Sequence, residues 1–124
     1  MMQRKLIYIA SPYAGEVERN VELAKQYCRY VMDFGYDFIA VHLLYPQVLN
    51  DEDPLERERG IMMGLRLLSV CEELWCFGDR VTEGMNCEIR EAKKLGMKVV
   101  YINSTEIQGK MNEKRLPSIG MSMS

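Results

Sequence analysis

Glu88 stands where a helix should be apolar. In "EGMNCEIREAKKLG" (83–96) the apolar stripe is expected to run through Met85, Ile89, Ala92 and Leu95. Glu88 lies three residues after Met85 and four before Ala92, inside that stripe. The start of the helix, near Thr82 to Gly84, favours an anion, whereas partial burial opposes ionisation. A carboxylate kept ionised beside an apolar wall can act as a nucleophile or a base. The alternative is a carboxylate that caps the backbone donors of a neighbouring loop.

Tyr8 is the second candidate. In "KLIYIAS" (5–11) strand alternation puts it on the face opposite Ile7 and Ile9, close to the Ala10–Ser11 end. A tyrosine in a buried strand needs a partner for its hydroxyl. Glu88, from an adjacent strand–helix unit, can be that partner, and a backbone group in the core is the alternative. The turn "SPYAGE" then offers the Ser11 hydroxyl and backbone N–H groups ahead of a helix, a cradle for a phosphate or a sugar. Its glycine spacing fits neither a P-loop nor a dinucleotide fingerprint. Arg19 and Asn20 could add donors. His42 ends the second apolar run, and Asp79 follows the third directly. Asp51 and Asp53 lie in a long polar loop that could close over the site. Any of these could supply an acid.

The elements that must position these groups follow from periodicity. Strands are expected at 5–11, 37–44, 73–78 and 98–103. Helices are expected from "GEVERN" to Gly35, from Leu55 to Cys71, and over 83–95. In the first helix Val21, Ala24, Cys28 and Val31 face the core, and Leu23, Tyr27, Tyr30 and Phe34 form a second apolar row. Alternating strands and helices imply a parallel α/β sheet of flavodoxin-like or Rossmann-like kind, in order 2-1-3-4, with helices on both faces. Ligands of such sheets bind at the carboxyl edge, at the switch point between strands 1 and 3. That places Ser11, Pro12 and Tyr13 on one side of a substrate site, and Gly78, Thr82, Gly84 and Met85 on the other, with His42 near the edge. Residues 1–103 read as one domain and 104–124 as a loosely attached tail.

Composition excludes several classes. The chain has 124 residues, a net charge of −2 and a pI near 5.5, so no basic footprint for nucleic acid or an anionic membrane exists. No apolar run is long enough to span a bilayer, and the N-terminus reads as a strand, so the expected compartment is the cytoplasm. Four cysteines, at 28, 71, 76 and 87, and a single histidine fit no zinc or redox spacing. No metal and no cofactor is expected. The stretch "IMMGLRLLSVC" is apolar nearly all round, which suggests burial on more than one side. With the Tyr27/Tyr30 row it points to a homo-oligomer, or else to a thickly covered core helix.

"KLIYIASPY", followed by "FGDRVTEGMNCEIREAKKLGMKVVYI", resembles the nucleoside 2-deoxyribosyltransferase superfamily over most of residues 5–103. A closer likeness, in "HLLYPQVLNDEDPLERERGIMMGL", is to a bacterial and phage-borne branch of it. The resemblance implies a small flavodoxin-like sheet and cleavage or exchange of the N-glycosidic bond of a nucleoside or its 5′-monophosphate. It implies that Glu88 is the nucleophile, that Tyr8 orients it, and that a neighbouring subunit completes the pocket. Where members of the superfamily carry aspartates near the base, this sequence has Met62 or a neighbour and Thr82. Asp79, Glu83 or His42 would then replace the acid. A pocket that binds a nucleotide without turnover, or a structural oligomer, are the other readings of that substitution.

Overall fold

The computed structural model describes residues 3–13 and 15–109. The strands β1 (Leu6–Ala10) and β3 (Glu73–Phe77) are almost wholly apolar and lie side by side in the centre of the sheet. Near-continuous apolar strands suit a sheet covered on both faces. β2 (Asp37–Ile39) pairs with β1, and β4 (Lys98–Ile102) pairs with β3. All pairings are parallel, and the order β2-β1-β3-β4 is the one expected.

Helix α1 (Val17–Asp33) covers one face. Its Ala24, Tyr27, Cys28, Tyr30 and Val31 pack on Ile7, Ile9, Trp75 and Phe77. The Tyr27 and Phe77 rings stack with centroids 4.6 Å apart. The other face is covered by α3 (Pro54–Leu68) and α4 (Glu83–Lys94), which enclose Tyr8, Ala10, Leu68, Leu74, Met85 and Ile89. Strand alternation has thus divided β1 as expected, with Ile7 and Ile9 on one side and Tyr8 on the other. Local chemistry fixes where both helices begin. The Asp53 carboxylate accepts from Leu55 N at 3.0 Å ahead of Pro54, and Thr82 Oγ1 accepts from Met85 N at 3.3 Å.

Three expectations need correction. The second strand ends at Ile39, and Val41–Leu44 form a short helix, α2, followed by a 3₁₀ turn at Tyr45–Gln47. β2 is an edge strand with one partner, and the burial of Val41 beside Tyr8 turns the chain over the carboxyl edge. His42 therefore sits on a helix. The chain covers α3 less than its composition suggested: only Gly64 and Leu68 are buried, while Leu55, Ile61 and Met62 are exposed. Tyr27 and Tyr30, of the second apolar row of α1, are buried in the chain's own aromatic core. Leu95 lies beyond the end of α4 and is exposed. Residues 104–109 are helical and bury Ile107 against the aromatic cluster. Residues 110–124 of the expected tail lie outside the described residues. Among the described residues no helix is long and apolar enough to cross a membrane.

Candidate active site

Tyr8 and Glu88 meet in the core. The Tyr8 hydroxyl donates to Glu88 Oε2 at 2.5 Å, across 80 residues of sequence. Tyr8 is fully buried and Glu88 is 7% exposed. Burial, and then the adjacent carboxylate, push the Tyr8 hydroxyl well above the ordinary tyrosine range, so it stays protonated as a donor. A short bond from O–H to a carboxylate is among the stronger hydrogen bonds available to a protein. Glu88 Oε1 has no hydrogen-bond partner among the described residues. His42 Nε2 lies 3.4 Å from Glu88 Oε2, near enough for charge to matter, but it makes no hydrogen bond there. The Tyr13 ring lies nearly parallel to the His42 ring, 6.3 Å between centroids.

These groups line a cavity of about 580 Å³, within the range of small-molecule sites. Val41, Tyr45, Leu49, Ile61 and Leu65 make its apolar wall. The Gly60 and Gly64 pair on α3 admits close approach. A Cβ placed on Gly64 would lie 3.2 Å from Tyr8 Oη, tighter than ordinary contact. The glycine therefore leaves room for the hydroxyl that holds Glu88.

Of the residues expected at the site, Tyr8, Ser11, Tyr13, His42, Thr82, Gly84, Met85 and Glu88 all line this cavity, and Asp51 and Glu83 join them. Asp79 does not. Its carboxylate accepts from the Ser104 hydroxyl at 2.6 Å and the Ser104 N–H at 3.2 Å, and these bonds hold it below the usual aspartate range. Pro12 and Gly78 are off the cavity wall; a Cβ placed on Gly78, which takes φ +102°, would lie 3.7 Å from Pro12 Cδ and from the Tyr27 hydroxyl. Asp53 caps α3, and the Asn20 amide donates to the Tyr13 carbonyl at 2.9 Å, holding the turn instead of facing a ligand.

Arg57, Arg80, Gly60, Gly64 and Cys87 line the cavity although the sequence reading passed over them. The signal available was "RERGIMMG", in which Arg57, Gly60 and Gly64 recur at helical spacing on one face. Cys28, Cys71 and Cys76 are buried thiols pushed up to about 11 by desolvation. Among the described residues no group of three His, Cys, Asp or Glu side chains is placed to hold a metal ion.

A family model described as a domain of unknown function (DUF7768) matches residues 5–102. No curated protein matches the chain. Among solved structures, a 2-deoxyribosyltransferase from Bacillus psychrosaccharolyticus is similar, with a TM-score of 0.61 and 21% identity. The match covers 79% of this chain and 72% of that one. It is a likeness of fold.

Proposed function

We propose that this chain, which belongs to the DUF7768 family, cleaves or exchanges the N-glycosidic bond of a (deoxy)nucleoside or its 5′-monophosphate through Glu88. One observation carries the reading: Glu88, held through Oε2 by Tyr8 and with its buried Oε1 unpartnered among the described residues, is one of the residues lining a nucleoside-sized cavity. Oε1 attacks the anomeric carbon, the bond to the base breaks, and its electron pair leaves with the base nitrogen, which takes a proton. His42 and Glu83 stand on the wall to supply that proton. Water or a second base then attacks the same carbon from the opposite side and returns a proton to the group that protonated the departing base. The ester C–O bond breaks, its pair returns to the Glu88 carboxylate, and two inversions give net retention. The likeness of fold to a 2-deoxyribosyltransferase supports the same reading. We further propose a homo-oligomer, supported by the exposed Leu55, Ile61 and Met62 on α3; a single-chain mass by sedimentation at micromolar concentration would reject it.

The test is incubation with each deoxynucleoside and each 5′-monophosphate, with free base measured. Base release that disappears in Glu88→Ala is expected. Absence of release from every substrate, with Glu88→Ala indistinguishable from the parent, rejects catalysis. A nucleotide-dependent rise in Tm without release would make the site a binding module.

A further inference from the structure

The cavity carries two cations that the glutamate chemistry does not use. Arg57 and Arg80 both line it. Neither makes an ion pair or a side-chain hydrogen bond among the described residues. They come from different elements, Arg57 from the first turns of α3 and Arg80 from the loop before the Thr82 cap of α4. In a parallel sheet each connecting helix after a strand starts at the carboxyl edge. α4 begins at this cavity, where Thr82, Glu83 and Gly84 line it, and its positive end adds to the two guanidinium charges. Glu88, whose buried Oε1 has no partner among the described residues, lines the same cavity.

A neutral nucleoside offers the two guanidinium groups only uncharged acceptors. A phosphate dianion offers charged ones, and the planar fork of arginine fits its oxygens in pairs. Three carboxylates share the wall, Glu88, Glu83 and Asp51. Glu88 has its own role, and the exposed Glu83 and Asp51 suit hydroxyl and amino donors of a sugar or a base, not an anion.

We infer that the substrate is a nucleoside 5′-monophosphate and that Arg57 and Arg80 bind its phosphate. This rests on the reading of Glu88 as the reacting group, with the phosphate one sugar ring away from the carbon it attacks. The charge that would select the phosphorylated substrate comes from α3 and from the loop after β3.

The experiment compares kcat/KM for matched pairs, each deoxynucleoside against its 5′-monophosphate, in the parent protein and in Arg57→Gln and Arg80→Gln. Glu88→Gln supplies a parallel arm in which the same ligands are read by thermal shift without turnover. A preference for the monophosphate of about 100-fold is expected, about tenfold for each guanidinium, and each substitution removes one of those factors. The monophosphate should stabilise Glu88→Gln at concentrations where the nucleoside does nothing. Arg57→Lys, which keeps charge but loses the fork, should fall between and guards against a variant that fails to fold. Equal kcat/KM for both members of a pair overturns the phosphate subsite and leaves the Glu88 reading standing. A preference that survives in both arginine variants overturns it as well. No release from either substrate, with monophosphate stabilisation that disappears in Glu88→Gln/Arg57→Gln, breaks the Glu88 reading and supports the subsite. A panel that neither reacts nor shifts Glu88→Gln overturns both.

Discussion

Two glutamates are buried to the same depth at opposite edges of the same sheet. Glu73 opens β3 and is 6% exposed; Glu88, in α4, is 7% exposed. Burial alone does not separate them. Their oxygens do. Glu73 Oε2 accepts from Lys5 Nζ at 2.8 Å and Oε1 from Trp75 Nε1 at 2.9 Å, so both are matched. Burial would raise its pKa, but Lys5 and Trp75 together hold it below the ordinary value. Glu88 has one oxygen matched by Tyr8 and one without a partner among the described residues, and it lines a cavity. A buried carboxylate whose acceptors are all satisfied is part of the scaffold. One that keeps an unpartnered oxygen carries a desolvation cost that packing does not explain. That difference points to chemistry at the carboxyl edge.

The comparison breaks most directly at Glu88. Glu88→Gln should lower base release by about 10³-fold or more, because an amide oxygen cannot serve as the nucleophile. Its Tm should hold or rise, since a buried charge is removed while the Tyr8 bond to a carbonyl oxygen persists. A large loss of Tm with residual activity per folded molecule intact would make Glu88 a scaffold residue like Glu73.

Glu73→Ala should show the reverse pattern. Stability should fall by about 1–3 kcal/mol, the cost of leaving the buried Trp75 N–H without an acceptor. The rate per folded molecule should not change. The effect is also pH-dependent. The folded carboxyl titrates below its ordinary 4.5, so its contribution is present above pH 4.5 and is lost as the pH falls through the folded value. Denaturant melts between pH 7 and 3 should show a shallower acid loss in Glu73→Ala than in the parent.

Glu88 and Tyr8 were legible in the sequence because each breaks or obeys a period. Glu88 interrupts a 3.6-residue stripe, and Tyr8 alternates against Ile7 and Ile9. The sheet order followed from alternating elements and handedness alone. The end of β2 was not legible, because "FIAVHLL" is apolar in either period and only three-residue pairing with β1 stops it at Ile39. Asp79 looked catalytic because it follows β3 directly, yet its orientation is set by Ser104, 25 residues later, which no local pattern reveals. Arg57 and Gly64 shared a face in the sequence, but which way that face points is a property of how α3 packs on the sheet.

Tyr8→Phe tests whether the matched oxygen of Glu88 matters for the unmatched one. The ring remains, so packing is kept, and only the 2.5 Å bond is lost. A hydrogen bond to a charged group is the stronger kind, so kcat should fall by about 10- to 100-fold. KM should change less, because Tyr8 acts through Glu88. An unchanged kcat would show that Glu88 does not need its orienting bond.

The finest test is Gly64→Ala. Glycine inside a helix is unfavourable by roughly 1 kcal/mol relative to alanine, so α3 itself should gain from the change. The added Cβ, however, would stand 3.2 Å from Tyr8 Oη and 3.7 Å from Val41 Cγ2. Tyr8 must give way by a few tenths of an ångström, and the bond to Glu88 lengthens or bends. We expect Tm to hold or rise while kcat falls by about tenfold, at the weaker end of the loss of such a bond. The double variant separates this from general damage. With Tyr8→Phe in place the hydroxyl is gone, and a Cβ at Gly64 has nothing left to displace, so the two losses should not add. Additive losses would mean that Gly64 serves the cavity in some other way than by leaving room for the tyrosine that holds the glutamate.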